Sequence, residues 1–402
     1  MRFFYITTII LFLVFNSHAQ NKENKEKTYL IVLSMDGFRW DYPDKANTPN
    51  LDYIEKNGVR GKIQPSFPTK TFPNHYTMTT GLYPDNHGIV ANEFWDDSLK
   101  LFYRIPDRKS VKNPAFYKGE PIWVSAEKQN IRAATLFWVG SETAIKGLQA
   151  TYWKDYQHNM PFEDRIDTLI SWLQLPEDKR PHLIMWYMHE PDGVGHKFGP
   201  ESEQTIKTVE YLDSLIGVFL TKLKDTDVSA KVNLVFTSDH GMCPISTNRI
   251  VYLEDILDTA DIELITGANP VYNIKVKKGK LEKVYRSLQN KHIKCWKSGE
   301  LPERLHYGNN PRDLDLVLVA DSSWSIERKH KKLIHYNGTH GYDNANSNMF
   351  AIFYAIGPAF KKGYKQKLFS NTDLYILFAK ILELKPAKTD GNFKDVEGML
   401  KD

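Results

Sequence analysis

The feature that most restricts this chain is a set of short apolar runs bordered by residues able to hold a metal ion. TYLIVLSM (28–35), AATLFWV (133–139), HLIMWYM (182–188), KVNLVFTS (231–238) and NMFAIFYAIG (348–357) show no polar alternation. Runs of this length read as strands buried on both faces. Between them Ile206, Val209, Leu212, Ile216, Phe219 and Leu223 recur at helical spacing. PFEDRIDTLISWL (161–173) opens with a proline and acids, as a helix start does. The rhythm predicts an α/β fold, a mostly parallel central sheet flanked by helices.

The rhythm breaks over 251–335, where Gly-Ala-Asn-Pro and Asn-Asn-Pro-Arg turn signals separate short runs such as VYNIKV and LDLVLVA. That stretch is expected to form a smaller α+β insert. The main part of the domain would then occupy 28–250 and its C-terminal part 336–400.

The first residues, MRFFYITTIILFLVFNSHAQ, place one arginine before an apolar run and small residues near position 19. They read as a signal peptide, 1–19, too short for a comfortable membrane span. The expected location is secreted or periplasmic, with a signal-anchored form as the alternative and no stable span after cleavage. The net charge of +4 is spread along 402 residues, so no macromolecular nucleic-acid partner is indicated. The lysine pairs near 330–332 and 360–362 read as solvated faces. Cys243 and Cys295, the chain's two cysteines, do not make a disulfide scaffold, and their pairing is open.

Ligands of open α/β sheets gather beyond the carboxyl ends of the strands. Asp36 follows the first run, Asp192 and His196 follow 182–188, and Asp239 and His240 follow 231–238. His340 lies just ahead of the last run. Three carboxylates and three imidazoles suit zinc, with manganese or iron as alternatives. Six ligands exceed one tetrahedral ion, and two ions suit phosphoryl transfer. Gly37, Gly193, Gly195 and Gly241 are expected to turn the backbone beside the ligands. His75, His87, His189 and Asp343 read as packing or supporting residues.

A nucleophile is sought in PSFPTKTFPNHYTMTTGLYPDNHG (65–88). Pro73 fits the first turn of a helix, which would place Thr71 at its N-terminus, where the dipole favours anions. A hydroxyl needs activation, and a neighbouring cation supplies it. Thr69 competes, and the spacing leaves both open.

MDGFRWDY, PTKTFPNHYTMTTGLYPDNHGIVAN, FWVGSE, PFEDRIDTLISWL, EPDGVGHKFGP and SDHGM occur in this order. Together, over roughly 28–360, they resemble the nucleotide pyrophosphatase/phosphodiesterase family of the alkaline phosphatase superfamily. The resemblance implies an alkaline phosphatase-like fold and the catalytic domain alone. It implies two zinc ions, one among Asp36, Thr71, Asp239 and His240, the other among Asp192, His196 and His340. Thr71 would be the nucleophile, forming a phosphothreonyl intermediate, and Asn92 would donate to a phosphate oxygen. Phe72, Tyr156 and Trp138 would form a nucleobase pocket, against the plainer reading of the last two as packed core. Stacking tolerates every base, so the aromatics imply breadth. The implied substrate is a nucleotide or dinucleotide, cleaved to a nucleoside monophosphate. A choline-phosphate lipid headgroup or a phosphate monoester is the rival substrate on the same metals. A non-catalytic metal-dependent binding module is the rival of another class.

Overall fold

The computed structural model describes residues 28–289, 291–329 and 336–401. The segment read as a signal peptide and the lysines at 331–332 lie outside them. The core is a nine-stranded sheet. From one edge its order is Tyr364–Lys365, Val59–Gln64, Ala351–Ile356, Val232–Thr237, Tyr29–Met35, Leu183–Met188, Ala133–Leu136 and Tyr152–Lys154; Phe369–Ser370 also pairs with Val59–Gln64. Tyr29–Met35 lies at the centre, parallel to both neighbours.

All five apolar runs contain a strand of this sheet, and their lack of alternation has a direct cause. Leu30 and Val32 face one buried layer, while Tyr29, Ile31, Leu33 and Met35 face another. The second layer is covered by helices Pro49–Asn57, Phe162–Leu173 and Glu203–Lys224. Helix Glu203–Lys224 buries Val209, Leu212, Leu215, Ile216, Phe219 and Leu223, each contributing roughly 1.5–3 kcal/mol of apolar transfer. Ser202 caps its start by accepting from Thr205 N at 3.2 Å. Helices Thr71–Thr80, Ile122–Lys128 and Asp373–Ile381 cover the first layer.

Two details differ from the expected pattern. The run at 133–139 is a strand only over Ala133–Leu136, because Phe137 turns to φ +73°. Ala351–Ile356 is antiparallel to both neighbours. That reversal brings its start to the edge where the parallel strands end, so a residue preceding this strand can meet residues following the others.

Residues 262–320 supply a second, four-stranded antiparallel sheet with its own core. Its strands run Ile262–Ala268, Val271–Val276, Leu316–Ala320 and Ile293–Lys297. Cys243 and Cys295 are buried free thiols, not a disulfide; burial pushes the Cys295 thiol up to about 12. No helix among the described residues is long and apolar enough to cross a membrane.

Candidate active site

Four chain segments reach one end of the central sheet and meet there. Asp36 leaves the first strand through Gly37, whose φ is +68° and whose added Cβ would lie 3.0 Å from Asp192 Cα. Glycine is required there by conformation and by space. Asp239 and His240 leave Val232–Thr237, and Gly241 follows with room for no side chain: a Cβ would meet Asn348 O at 2.2 Å. Gly193 and Gly195 do not turn the chain as expected; they lie inside helix Asp192–Phe198. That helix sets Asp192 and His196 one turn apart on one face, with Oδ1 and Nε2 3.4 Å apart. His340 follows the short strand Gly338–Thr339, which pairs with Cys243–Pro244. Its ring stacks on His240 at 3.5 Å.

The imidazoles are oriented by carbonyls. His196 Nδ1 donates to Gly338 O, His240 Nδ1 to Gly241 O and His340 Nδ1 to Thr69 O, at 2.8, 2.8 and 2.9 Å. A carbonyl only accepts, so each Nδ1 carries the proton and each Nε2 offers its lone pair to the site. His75 is different. Its Nδ1 donates to Thr71 O at 3.0 Å, and its Nε2 accepts from Ser34 Oγ at 2.9 Å. Both nitrogens are engaged within the protein, with Nδ1 also 3.3 Å from Asp239 Oδ2.

At this site three buried carboxylate oxygens have no hydrogen-bond partner among the described residues: Asp36 Oδ1, Asp192 Oδ1 and Asp239 Oδ2. An orphaned buried carboxylate oxygen is expensive. His240 Nε2 lies 3.0 Å from Asp239 Oδ2, 3.4 Å from Asp36 Oδ1 and 3.3 Å from Thr71 Oγ1. Proximity alone groups Asp36 with His75 and Asp239, and Asp192 with His240 and His340. His75 is already committed, however, and His240 reaches both groups. Three orphaned oxygens facing the Nε2 atoms of three imidazoles form a donor set that fits divalent metal of the zinc type.

Electrostatics favour this donor set at some positions and oppose it at another. Burial disfavours the charge on His240, but Asp239 beside it raises its pKa above the ordinary imidazole range, so a proton competes with a metal for Nε2. Burial, then the charges of Asp239 and Asp192, push the Asp36 carboxyl well above its ordinary range. Burial opposes the charge on Asp239, but His240 and His75 outweigh it and hold that carboxyl well below the usual range. Burial, with His240 and Lys70 nearby, holds His340 neutral. Neutral imidazole is the form that ligates.

The two candidate threonines have different surroundings. Thr69 Oγ1 is buried, donating to Tyr342 O and accepting from Gly341 N, both at 3.0 Å. Thr71 opens helix Thr71–Thr80 and lines the open cavity. Asn92 Oδ1 accepts from Phe72 N at 2.9 Å, which points the donor Nδ2 elsewhere. The cavity, about 590 Å³, is also lined by Phe72, Phe137, Trp138, Tyr156 and Tyr187. Trp138 is 1% exposed and donates Nε1 to His75 O at 3.0 Å, so its indole is largely wall. Tyr156 is half-buried, its ring edge-on to Phe137.

The remaining expected residues divide. His189 lines the cavity. His87 is remote packing, bonded to Thr77 Oγ1 and held down to about 3 by burial. Asp343 pairs with Arg304 at 2.6 Å. Sequence reasoning did not single out Tyr187, which donates to Asp36 Oδ2 at 2.7 Å, nor Ser34, Arg108 and Glu142. Tyr187 and Ser34 are paired in register across neighbouring strands, and a polar residue near the end of an apolar run is the signal that marks both.

Residues 30–343 match the family model described as type I phosphodiesterase / nucleotide pyrophosphatase. The chain belongs to that family. As a type I phosphodiesterase/nucleotide pyrophosphatase family member it is 37% identical to a venom phosphodiesterase of Naja atra, over 96% of this chain and 48% of that protein. It is 36% identical to human ectonucleotide pyrophosphatase/phosphodiesterase family member 1, over 92% of this chain and 42% of that protein. The chain thus spans about half the length of the curated relatives it matches. Murine ectonucleotide pyrophosphatase/phosphodiesterase 5 is 36% identical and superposes with a TM-score of 0.88, covering 93% of this chain and all of that one. An inactive form of that mouse protein, solved in complex with AMP, gives 0.89. The family fold is alkaline phosphatase-like, as the sequence motifs implied.

Proposed function

We propose that this chain is a two-zinc phosphodiesterase that converts nucleoside triphosphates or related phosphodiesters to nucleoside monophosphates through a phosphothreonine intermediate. The observation that carries the reading is the position of Thr71 Oγ1. It sits at a helix start, 3.3 Å from His240 Nε2, in the lining of a cavity large enough for a nucleotide.

Asp36, Thr71, Asp239 and His240 would hold one ion, and Asp192, His196 and His340 the other. When bound, such ions lower the pKa of a coordinated hydroxyl and neutralise phosphate charge. Thr71 Oγ1, its proton lost to solvent, attacks phosphorus in line with the departing oxygen. The nucleoside phosphoryl group passes to Thr71 as the P–O bond to the leaving group breaks, and that group departs with the bonding electrons. Asn92 Nδ2 donates to a non-bridging oxygen, its other atom being fixed by Phe72 N. The N-terminal end of helix Thr71–Thr80 favours the same negative charge. Water then hydrolyses the phosphothreonine and releases the monophosphate.

Phe72 and Tyr156 supply the flat surfaces that receive a base. We also take 28–250 with 336–400 as the catalytic unit, 251–335 as an insert, and the chain as exported. The test is chromatography of the products formed from ATP. AMP with pyrophosphate supports attack at the α-phosphorus; ADP with phosphate refutes it in favour of a monoesterase.

A further inference from the structure

Stacking alone cannot choose among bases, yet the wall beside the Tyr156 ring carries a directional group. Glu142 is buried and lines the cavity. One of its oxygens accepts from Tyr156 N at 2.8 Å, and the other accepts from Arg108 Nη2. The same carboxylate therefore fixes both the stacking tyrosine and the guanidinium. Arg108 also lines the cavity, with Cζ over the Tyr156 ring at 5.9 Å from its centre and the side chain 38% exposed.

A guanidinium carries five N–H donors in a rigid plane and no acceptor. Glu142 uses one edge, which leaves further donors for a ligand. A base laid against Tyr156 would bring its edge toward this plane. Guanine offers O6 and N7 as adjacent acceptors, which a guanidinium takes in a bidentate pair. Adenine offers N7 beside an amino donor, so one of the two contacts is lost and a donor faces a donor.

We infer that Arg108, held in place by Glu142, is a specificity-determining residue that reads the acceptor edge of the base and favours guanine nucleotides over adenine nucleotides. The inference rests on the nucleotide-cleaving reading above and narrows its substrate class. It also qualifies the breadth that the aromatic residues imply.

The experiment compares kcat/KM for GTP and ATP, and the inhibition constants of GMP and AMP, in the wild-type chain and in Arg108→Ala and Arg108→Lys. The wild type is expected to prefer GTP by roughly tenfold, the range of a bidentate base contact. Arg108→Ala brings the GTP/ATP ratio close to one. Arg108→Lys keeps the charge but not the fork, and recovers little of the ratio. A variant that merely folds poorly lowers both rates and leaves the ratio intact, and so does loss of a plain phosphate contact. An unchanged ratio, or a wild type without guanine preference, overturns the inference while leaving nucleotide cleavage standing. Failure to cleave either triphosphate and to bind either monophosphate overturns both.

Discussion

Tyr187 donates to Asp36 Oδ2 at 2.7 Å and so decides which oxygen of that carboxylate is left facing the site. Oδ1 is the orphan. Removing the hydroxyl frees the carboxylate to rotate. Tyr187→Phe is expected to weaken zinc binding about 10- to 100-fold, as loss of an outer partner of a metal ligand does. Equilibrium dialysis with metal analysis checks this, and unchanged affinity would refute the orienting role.

Thr71 and His240 should separate chemistry from metal binding. Thr71→Ala is expected to lower turnover by on the order of 10³-fold or more while most of the metal remains. His240→Ala and Asp239→Asn should lose both metal and activity, because each removes a donor from the centre of the site. Zinc stoichiometry measured beside kcat distinguishes the classes. An active Thr71→Ala enzyme would sink the nucleophile assignment.

Ser34 acts through His75. Its hydroxyl satisfies His75 Nε2, and His75 Nδ1 lies beside Thr71 O and Asp239. Ser34→Ala leaves a buried acceptor unpaired and should cost about 1–3 kcal/mol of stability. Urea unfolding measures it. The same variant should lower kcat/KM, since His75 no longer holds one orientation.

Chelation should destabilise the protein as well as inactivate it. Asp36, Asp192 and Asp239 are clustered with orphaned oxygens, and a bound cation offsets their repulsion. Differential scanning calorimetry with and without a chelator is expected to show a lower Tm without metal, restored by added zinc. An identical Tm in both would argue against occupancy of the site.

Asp373 gives a pH dependence away from the site. At the first residue of helix Asp373–Ile381 it accepts from Asn392 N at 2.8 Å and Ser370 N at 3.1 Å, and burial pushes its carboxyl up to about 6. A raised folded pKa means the native state binds the proton more tightly. Its stabilising contribution is full below the ordinary aspartate range near 3.8 and is lost as pH rises through about 6. The change amounts to up to about 3 kcal/mol. Asp373→Asn should flatten the stability profile between pH 4 and 6, as followed by urea unfolding; an unaltered slope would contradict it.

Much of this architecture is legible in the sequence, for a physical reason. A strand buried on both faces must be apolar throughout, so residues 28–35 and 231–238 announce themselves, and Asp36, Asp239 and His240 stand out by ending them. The direction of Ala351–Ile356 leaves no such trace, because a strand covered on both sides reads the same either way. Thr69 and Thr71 are alike in local sequence; what separates them is Tyr342 and Gly341, some 270 residues away, which occupy the Thr69 hydroxyl. Tyr187 is harder to see, because an aromatic residue in an apolar run looks like core. Glu142 and Arg108 meet only once the chain has folded, and neither lies in a ligand-spaced pattern.

The antiparallel insertion of Ala351–Ile356 between Val59–Gln64 and Val232–Thr237 also orders events in time. The strand that fills this gap begins only at Ala351, and His340, which stacks on His240, lies just ahead of it. Contacts this distant along the chain form late, since the loop entropy must be overcome before any of them is made. A chain in which this strand has not docked therefore carries Thr71 without the complete set of groups around it.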